Sequence, residues 1–569
     1  MPSDTAPSGT ADRPALVHGG PLDHPIARHV TLADALSHAA AHSGERGFVF
    51  VDAQGHETRW TYRELHEAAR RAAALLQAQG HASGSRIVLR LGDPRGFALA
   101  LWTCILGGYA AVPTADTGPL PSEPEAVQAL GASLQALDPA VLIVPAAQAA
   151  QAVALKDRHG WSRLAVLTPE QLLEAPPAPP DAAPQGAPGD TVALIFPTSG
   201  STGTPKPVTQ TGTAILSMCA GSAQMNGFDA EDVFLNWMPL EHVGAVVFLH
   251  LLPVCVQAEQ VHVEHRRVRE RMLGWLDLLT RHKASVTWVP SHVFNIVAKA
   301  VEQGETGAWD LRALRFLVNA GESISSDFAH KFALQLQRYG LRADAIRPAF
   351  GMSETCSGIT WASALQVHDE RYVDLGAPIP GAALRIVGAD GQLLCERQVG
   401  QLQVQGPSVT RGYYRAARDE KFLSDGWFDT GDRGFLHQGR LHLTDREGDA
   451  IEIDGTQLHG YELEAAIEAL PGVLAGHVAV CSVLHAGRAT LAAFYCGDPT
   501  RAETAALQAH VEAVLAGLAP QVPRIVVALA PHELPRTSIG KIQRKVLRRR
   551  LERAPQAAGT AVRSTEVSG

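Results

Sequence analysis

Between residues 60 and 339, short apolar runs alternate with amphipathic stretches, and this rhythm limits the folds open to the chain. The stretch 60–80 reads as an amphipathic helix starting at Thr61, with Glu64 three residues on completing a capping box. Segment 86–91 reads as a strand, 95–107 as a helix, and 141–144 and 164–167 as further strands. A helix near 268–282, a strand at 284–289, a helix near 291–302, a strand at 314–318 and a helix near 325–339 follow. Strands separated by helices join a sheet through crossovers. The rhythm therefore predicts an α/β fold with a largely parallel sheet covered by helices.

A chain of 569 residues exceeds one ordinary core. Residues 1–25 are rich in Ser, Pro, Gly and Ala and read as a disordered arm. The Pro/Ala run at 175–189 reads as a linker. From about 373 the texture changes to short strands at 384–387, 401–405 and 440–443, a small β subdomain that closes a domain spanning 26–447. Residues 448–552 mix strands and helices and read as a second domain, followed by a flexible tail at 553–569.

The net charge of −9 argues against a general nucleic-acid binder. No apolar run reaches the roughly 20 residues needed to span a bilayer. The first residues lack a basic region followed by an apolar core, so no secretory signal is expected. Seven scattered cysteines without a C-x-x-C pair suggest a reduced, cytoplasmic chain.

The apolar run 192–196 reads as a buried strand and leads into Thr198, Ser199, Gly200, Ser201, Thr202, Gly203, Thr204, Pro205 and Lys206. Glycines there let the backbone approach a ligand, and successive N–H groups form an anion-binding concavity. The hydroxyls and Lys206 add donors and charge, so a polyphosphate is the natural guest. The spacing is not that of a Walker A loop, because Pro207 stands where Ser or Thr would hold magnesium. Only eight lysines occur in the chain, and two of them, Lys206 and Lys541, sit in glycine-flanked motifs.

Further motifs follow in order: Asn236 to Gly244 with His242, Asn319 to Ser323, Phe350 to Thr355, Phe428 to Arg433, Asp445 to Gly455, and Pro535 to Arg544. Together they resemble the adenylate-forming superfamily of acyl-CoA synthetases, peptide-synthetase adenylation domains and luciferases. The resemblance covers roughly residues 31–551. It is strongest to fatty-acyl-AMP ligases and the acyl-ligase loading domains of polyketide synthases, through Gly351 to Gly358, Trp427 to Asp432 and Thr537 to Arg544.

The resemblance implies a large N-terminal domain of parallel sheets with helices plus a β subdomain, and a smaller, mobile α+β C-terminal domain. It implies that a carboxylate attacks the α-phosphate of ATP, giving an acyl-adenylate, and that a thiol then takes the acyl group. The acceptor is expected to be the phosphopantetheine of an acyl carrier protein in polyketide or hybrid natural-product biosynthesis. CoA is the alternative acceptor, and a non-catalytic ATP-binding module of the same fold the second alternative. No carrier-protein segment follows in this sequence, which suggests a free-standing enzyme.

By the same resemblance the 198–206 loop grips the leaving pyrophosphate, and Glu354 holds Mg2+, which favours one or two carboxylates plus phosphates. Ser353 holds phosphate; Ala320, Gly321 and Glu322 border the adenine with Phe350 and Gly351; Asp432 and Arg446 hold the ribose. Lys541 is the expected catalytic cation, since a positioned charge stabilises in-line phosphoryl transfer. His242 is a further candidate. Trp237, Met238, His242, Val243, Trp288, Ser291, His292, Asn319 and Trp361 are the expected pocket wall, with the three tryptophans available to shorten a fatty-acid tunnel or to form a box for a cation.

Three departures stand out. Pro207 replaces the glycine that usually follows the loop lysine and lacks a backbone donor. Gly448 occupies the position of the usual hinge Asp or Lys. Val243 stands where activators of α-amino acids carry an aspartate for the ammonium group. An ammonium buried there would be unpaired, so the expected substrate is a carboxylic acid without an α-amino group.

Overall fold

The computed structural model describes residues 13–116, 118–178, 186–198, 206–322, 324–368, 372–416, 419–446, 451–497, 504–537 and 542–553. Residues 199–205, the expected hinge Gly448 and the expected catalytic Lys541 lie outside the described residues. Two large sheets dominate the N-terminal domain. The six-stranded sheet runs Ala165–Leu167, Val141–Ile143, Arg86–Leu89, Ala110–Pro113, Val192–Thr198, Lys206–Thr211. Its pairings are parallel except for the last, where Thr198 lies opposite Lys206 in an antiparallel hairpin.

The nine-stranded sheet has a parallel centre of Ile346–Met352, Phe316–Asn319, Val286–Val289, Val233–Asn236, Glu259–Val263 and Gly47–Val51. Antiparallel strands flank it on both sides. Its central strands Val233–Asn236, Val286–Val289 and Phe316–Asn319 are mostly apolar and buried on both faces. The helix after Thr61 begins with the expected capping box: Thr61 Oγ1 accepts from Glu64 N–H at 3.1 Å, and Glu64 accepts from Thr61 N–H at 2.7 Å.

The β subdomain is a five-stranded sheet whose outer strand is Leu16–His18, paired antiparallel with Ala383–Arg385. Residues 13–25 are therefore not the disordered arm expected from composition. Ala15 is fully buried, and its N–H donates to Leu394 O at 2.8 Å. Three residues carry too little periodicity to announce a strand; the open edge of a sheet distant in sequence recruits them. The helix expected near 268–282 is two helices, His265–Glu270 and Gly274–His282.

The C-terminal domain is α+β. Strands Val473–His485 and Arg488–Gly497 pair antiparallel, and Arg524–Ala528 adds parallel to the second. Helices Gly460–Glu468 and Thr504–Leu518 pack on this sheet around Ile467, Leu491, Val511 and Leu515. This core is separate from that of the N-terminal domain, which runs from Ala15 to Leu441. Among the described residues, no helix is long and apolar enough to cross a membrane.

Candidate active site

Four neighbouring parallel strands end at one edge of the nine-stranded sheet, at Asn236, Val289, Asn319 and Met352. The register places Val289 beside Asn319 and Asn319 beside Pro348. Motifs separated by some 30–50 residues thus converge outside the carboxyl ends of the strands, where open α/β sheets bind ligands.

Beyond Asn236 the chain turns through Trp237, Met238 and His242 into a π-helical segment, Gly244–Leu251. Such helices are rare, and residue spacing does not announce this one. Its first turn is held from outside: Asn236 Nδ2 donates to Ala245 O at 3.0 Å, and Gly244 N–H donates to His242 Nδ1 at 3.1 Å. The Trp288 indole lies over Gly244, edge-to-face with His242 at 5.7 Å, and donates to Ala320 O at 3.2 Å. A Cβ on Gly244 would stand 2.2 Å from that ring, so the glycine admits the tryptophan. Gly321, at φ +89°, turns the backbone beneath the same ring. Val243 is almost fully buried.

Behind this lip lies a polar chain that sequence patterning missed. Trp102 Nε1 donates to His250 Nε2 at 2.9 Å, His250 faces His262 at 3.1 Å, and His262 meets Gln260 and Asn236. Burial pushes the His250 pKa down to about 3 and holds His262 well below the usual range, so both rings are neutral.

The three candidate tryptophans do not form a box. Trp237 stacks on His265 with centroids 5.7 Å apart, and Trp361 sits in the core against Phe248 at 4.9 Å, its indole donating to Ser222 Oγ. Only Trp288 stands beside His242 and Ala320. Met238 is buried with its N–H on Asn236 Oδ1, Asn319 Nδ2 donates to Val289 O, and Ser291 Oγ accepts from Ser325 N–H. Glu322 accepts the backbone N–H of His292 at 3.1 Å and faces its ring at the same distance.

Glu354 belongs to a tight 3-10 turn, Ser353–Thr355, at the end of the strand carrying Phe350 and Gly351. A Cβ on Gly351 would stand 1.9 Å from Ser357 O, so the crossing backbone requires glycine. Gln210, fully buried, donates to Ser353 O and accepts from Cys356 Sγ, while Thr410 N–H donates to Glu354 O at 2.7 Å. Gln210 lies on the strand Lys206–Thr211, so the strand leaving the glycine-rich loop grips the glutamate turn directly.

Lys206 Nζ pairs with Asp419 at 2.5 Å and lies 5.2 Å from the centroid of the Tyr413 ring. Tyr413 OH in turn donates to Glu354 Oε1 at 3.1 Å. Burial raises the Asp419 pKa, but the bonds from Lys206 and from Lys421 N–H outweigh it and hold the carboxyl below its usual range. Asp419, Tyr413 and Gln210 were not singled out in the sequence; the Gly412-Tyr413-Tyr414 step was the available signal.

Pro207 lies opposite Pro197 on the edge strand, and its carbonyl accepts Tyr414 N–H at 2.8 Å. A proline is tolerated at an edge, where no ladder donor is needed. Asp432 is nearly buried on the strand Phe428–His437, paired in register with Arg446.

A protein-family model described as AMP-binding enzyme matches residues 36–414. Aspulvinone E synthetase melA of Aspergillus terreus is 31% identical over 551 residues, 92% of this chain and 58% of that protein. The present chain thus spans little more than half of that relative's length. The structure of McyG A-PCP complexed with phenylalanyl-adenylate superposes with a TM-score of 0.87 at 33% identity, covering 95% of this chain and 85% of that one. A multidomain structure of a keto acid-selecting NRPS module, with adenylation and ketoreductase parts, gives 0.87 at 31% identity, covering 95% and 47%. The strand-end site, the fold and these matches agree: the chain belongs to the AMP-binding enzymes, a family of adenylate-forming ligases.

Proposed function

We propose that the protein activates a 2-oxo acid with an aromatic side chain as its acyl-adenylate, using ATP and Mg2+, and transfers the acyl group to a carrier-protein phosphopantetheine thiol. The observation that carries this reading is Val243, apolar and buried beside the His242–Trp288 contact. An aspartate there would suit an ammonium; valine suits a neutral α-substituent. Similarity to a keto acid-selecting module and to a domain complexed with phenylalanyl-adenylate supports the oxo group and the aromatic side chain. Relatives named as nonribosomal peptide synthetases support a carrier thiol and a natural-product context over CoA.

In this reading, residues 26–447 bind ATP and the acid, and 448–552 bring Lys541 to the reacting phosphoryl group, with Gly448 as hinge. Glu354 is a carboxylate suited to Mg2+, already oriented by Tyr413. Lys206 and the 199–203 loop take the pyrophosphate. Ala320, Gly321, Glu322 and Phe350 border the adenine, and Asp432 and Arg446 hold the ribose. Bound Mg2+ neutralises phosphate charge; the protein's part is to orient its carboxylate and exclude water.

The test is pyrophosphate exchange with aryl 2-oxo acids, their matching α-amino acids, and fatty acids. Exchange with the 2-oxo acids, lost by about 10²–10³ in Lys541→Ala, supports the proposal. Preference for the amino acids overturns it. Preference for fatty acids selects the fatty-acyl-AMP ligase reading, and no exchange with any acid selects a non-catalytic module. Product analysis with carrier protein and with CoA decides the acceptor.

A further inference from the structure

The two domains meet along one face of the helix Ser291–Glu302. His292, Asn295 and Lys299 recur at helical spacing on that face, and each touches the C-terminal domain. Asn295 Nδ2 donates to Glu468 Oε2 at 2.9 Å, and Lys299 Nζ donates to Glu468 O at 3.3 Å. Glu468 is the last residue of the helix Gly460–Glu468 and is only 7% exposed. Beside it, the strand Val473–His485 breaks register between Val473 and Val478. Gly476 in that irregularity adopts φ +70°, and a Cβ there would stand 3.4 Å from His292 Cβ. The irregular strand and the helix end therefore form a shaped seat for the large-domain helix.

The seat continues toward the strand-end site. Arg536, on the segment that leads to Lys541, donates to Gly476 O and lies within electrostatic reach of both Glu322 and Glu468. Glu322 is the residue that holds His292 at the start of the same helix. A buried carboxyl held by Asn295 across the interface and by Gly476 N–H is a costly way to join two domains. Its side chain does what an apolar residue could not: it fixes where along the helix the small domain sits.

We propose that Glu468 is a positioning residue of the adenylation step, seating the small domain on Asn295 and Lys299 so that the segment bearing Arg536 stays beside Glu322. The proposal rests on the adenylation reading above. Burial pushes the Glu468 carboxyl up to about 7, offset by Lys299 and worsened by Glu464. The groups facing it are Asn295 and Lys299 from the large domain, Glu464 on its own helix, Gly476 N–H from the irregular strand, and Arg536. An acid that ionises on leaving the seat favours the seated state below its free pKa, and this preference fades as pH rises through about 7.

The experiment is pyrophosphate exchange on the whole chain with Glu468→Ala, Glu468→Gln and Asn295→Leu, together with hydrogen exchange of the helix 291–302. Glu468→Ala and Asn295→Leu are expected to lower kcat about tenfold with the KM for ATP and for the acid within twofold, and together to do no more than either alone. Glu468→Gln keeps an acceptor for Asn295 without a charge; it is expected to restore kcat at pH 7 and to gain on the wild type from pH 6 to 8.5. Amides on the 292–299 face are expected to exchange faster in Glu468→Ala. Unchanged kcat, a KM effect alone, or unchanged helix protection overturns the proposal. A wild type without exchange activity for any acid instead overturns the adenylation reading, and helix protection still decides the seat.

Discussion

The hydroxyl of Tyr413 donates to Glu354 Oε1 at 3.1 Å while the face of the same ring lies 5.2 Å from the ammonium of Lys206. One side chain therefore orients an acid and a base that the sequence places far apart. Tyr413→Phe keeps the ring and removes only the hydroxyl. The apparent Mg2+ requirement of pyrophosphate exchange is expected to rise about tenfold, the loss of one hydrogen bond to a charged acceptor of roughly 1.5 kcal/mol. Tyr413→Leu is expected to raise the KM for ATP as well, because Lys206 then loses its aromatic face. A Mg2+ titration at saturating ATP separates the two.

Val243→Asp places a carboxylate in a buried apolar position, which costs several kcal/mol unless a cation joins it. Exchange with a 2-oxo acid is expected to fall at least a hundredfold, while the matching α-amino acid is lost less or gains. Measuring kcat/KM for both acids in both proteins gives the ratio. An unchanged ratio would show that position 243 does not face the α-substituent.

Gly244→Ala drives a methyl into the Trp288 ring, which stands 2.2 Å from the new Cβ. Overpacking of this kind costs roughly 1–3 kcal/mol, and here the indole must leave Ala320 O to relieve it. The KM for the acid is expected to rise more than tenfold with the KM for ATP nearly unchanged. Steady-state exchange with each substrate varied in turn checks this split.

His442 is nearly buried and stacks on Phe435 at 4.9 Å. Burial pushes its pKa down to about 4, with Asp374 opposing and His368 and His437 adding repulsion. Its proton binds more tightly in the unfolded chain, so the native state is fully favoured above the unfolded pKa near 6.5. That advantage falls away as pH drops toward 4, by about 2 kcal/mol at pH 5. Urea denaturation at pH 7.5 and pH 5 is expected to show a larger drop for the wild type than for His442→Phe, whatever the absolute stability of the variant.

Local structure was legible where one segment carries its own reason. The capping box at Thr61 and Glu64 formed as read, since both partners lie within one turn. The apolar run before the glycine-rich loop formed a strand as read, with Leu194, Ile195 and Phe196 buried and Thr198 paired opposite Lys206. The strand Leu16–His18 was missed because its reason for forming is a sheet edge more than 360 residues away. The tryptophan box failed for a related reason: pattern alone does not say which side of a strand end a large ring takes, and Trp361 went to the core.

The sequence by itself determined the alternation of strands and helices, the adenylate-forming family and the absence of an aspartate at position 243. These are local composition and ordered motifs, legible without distances. Only the tertiary structure decided that Lys206 pairs with Asp419, 213 residues away, that Tyr413 joins Lys206 to Glu354, and that Glu468 seats on Asn295. Polar side chains find such partners through parallel register and packing between layers, and neither is written in the spacing of residues along one chain.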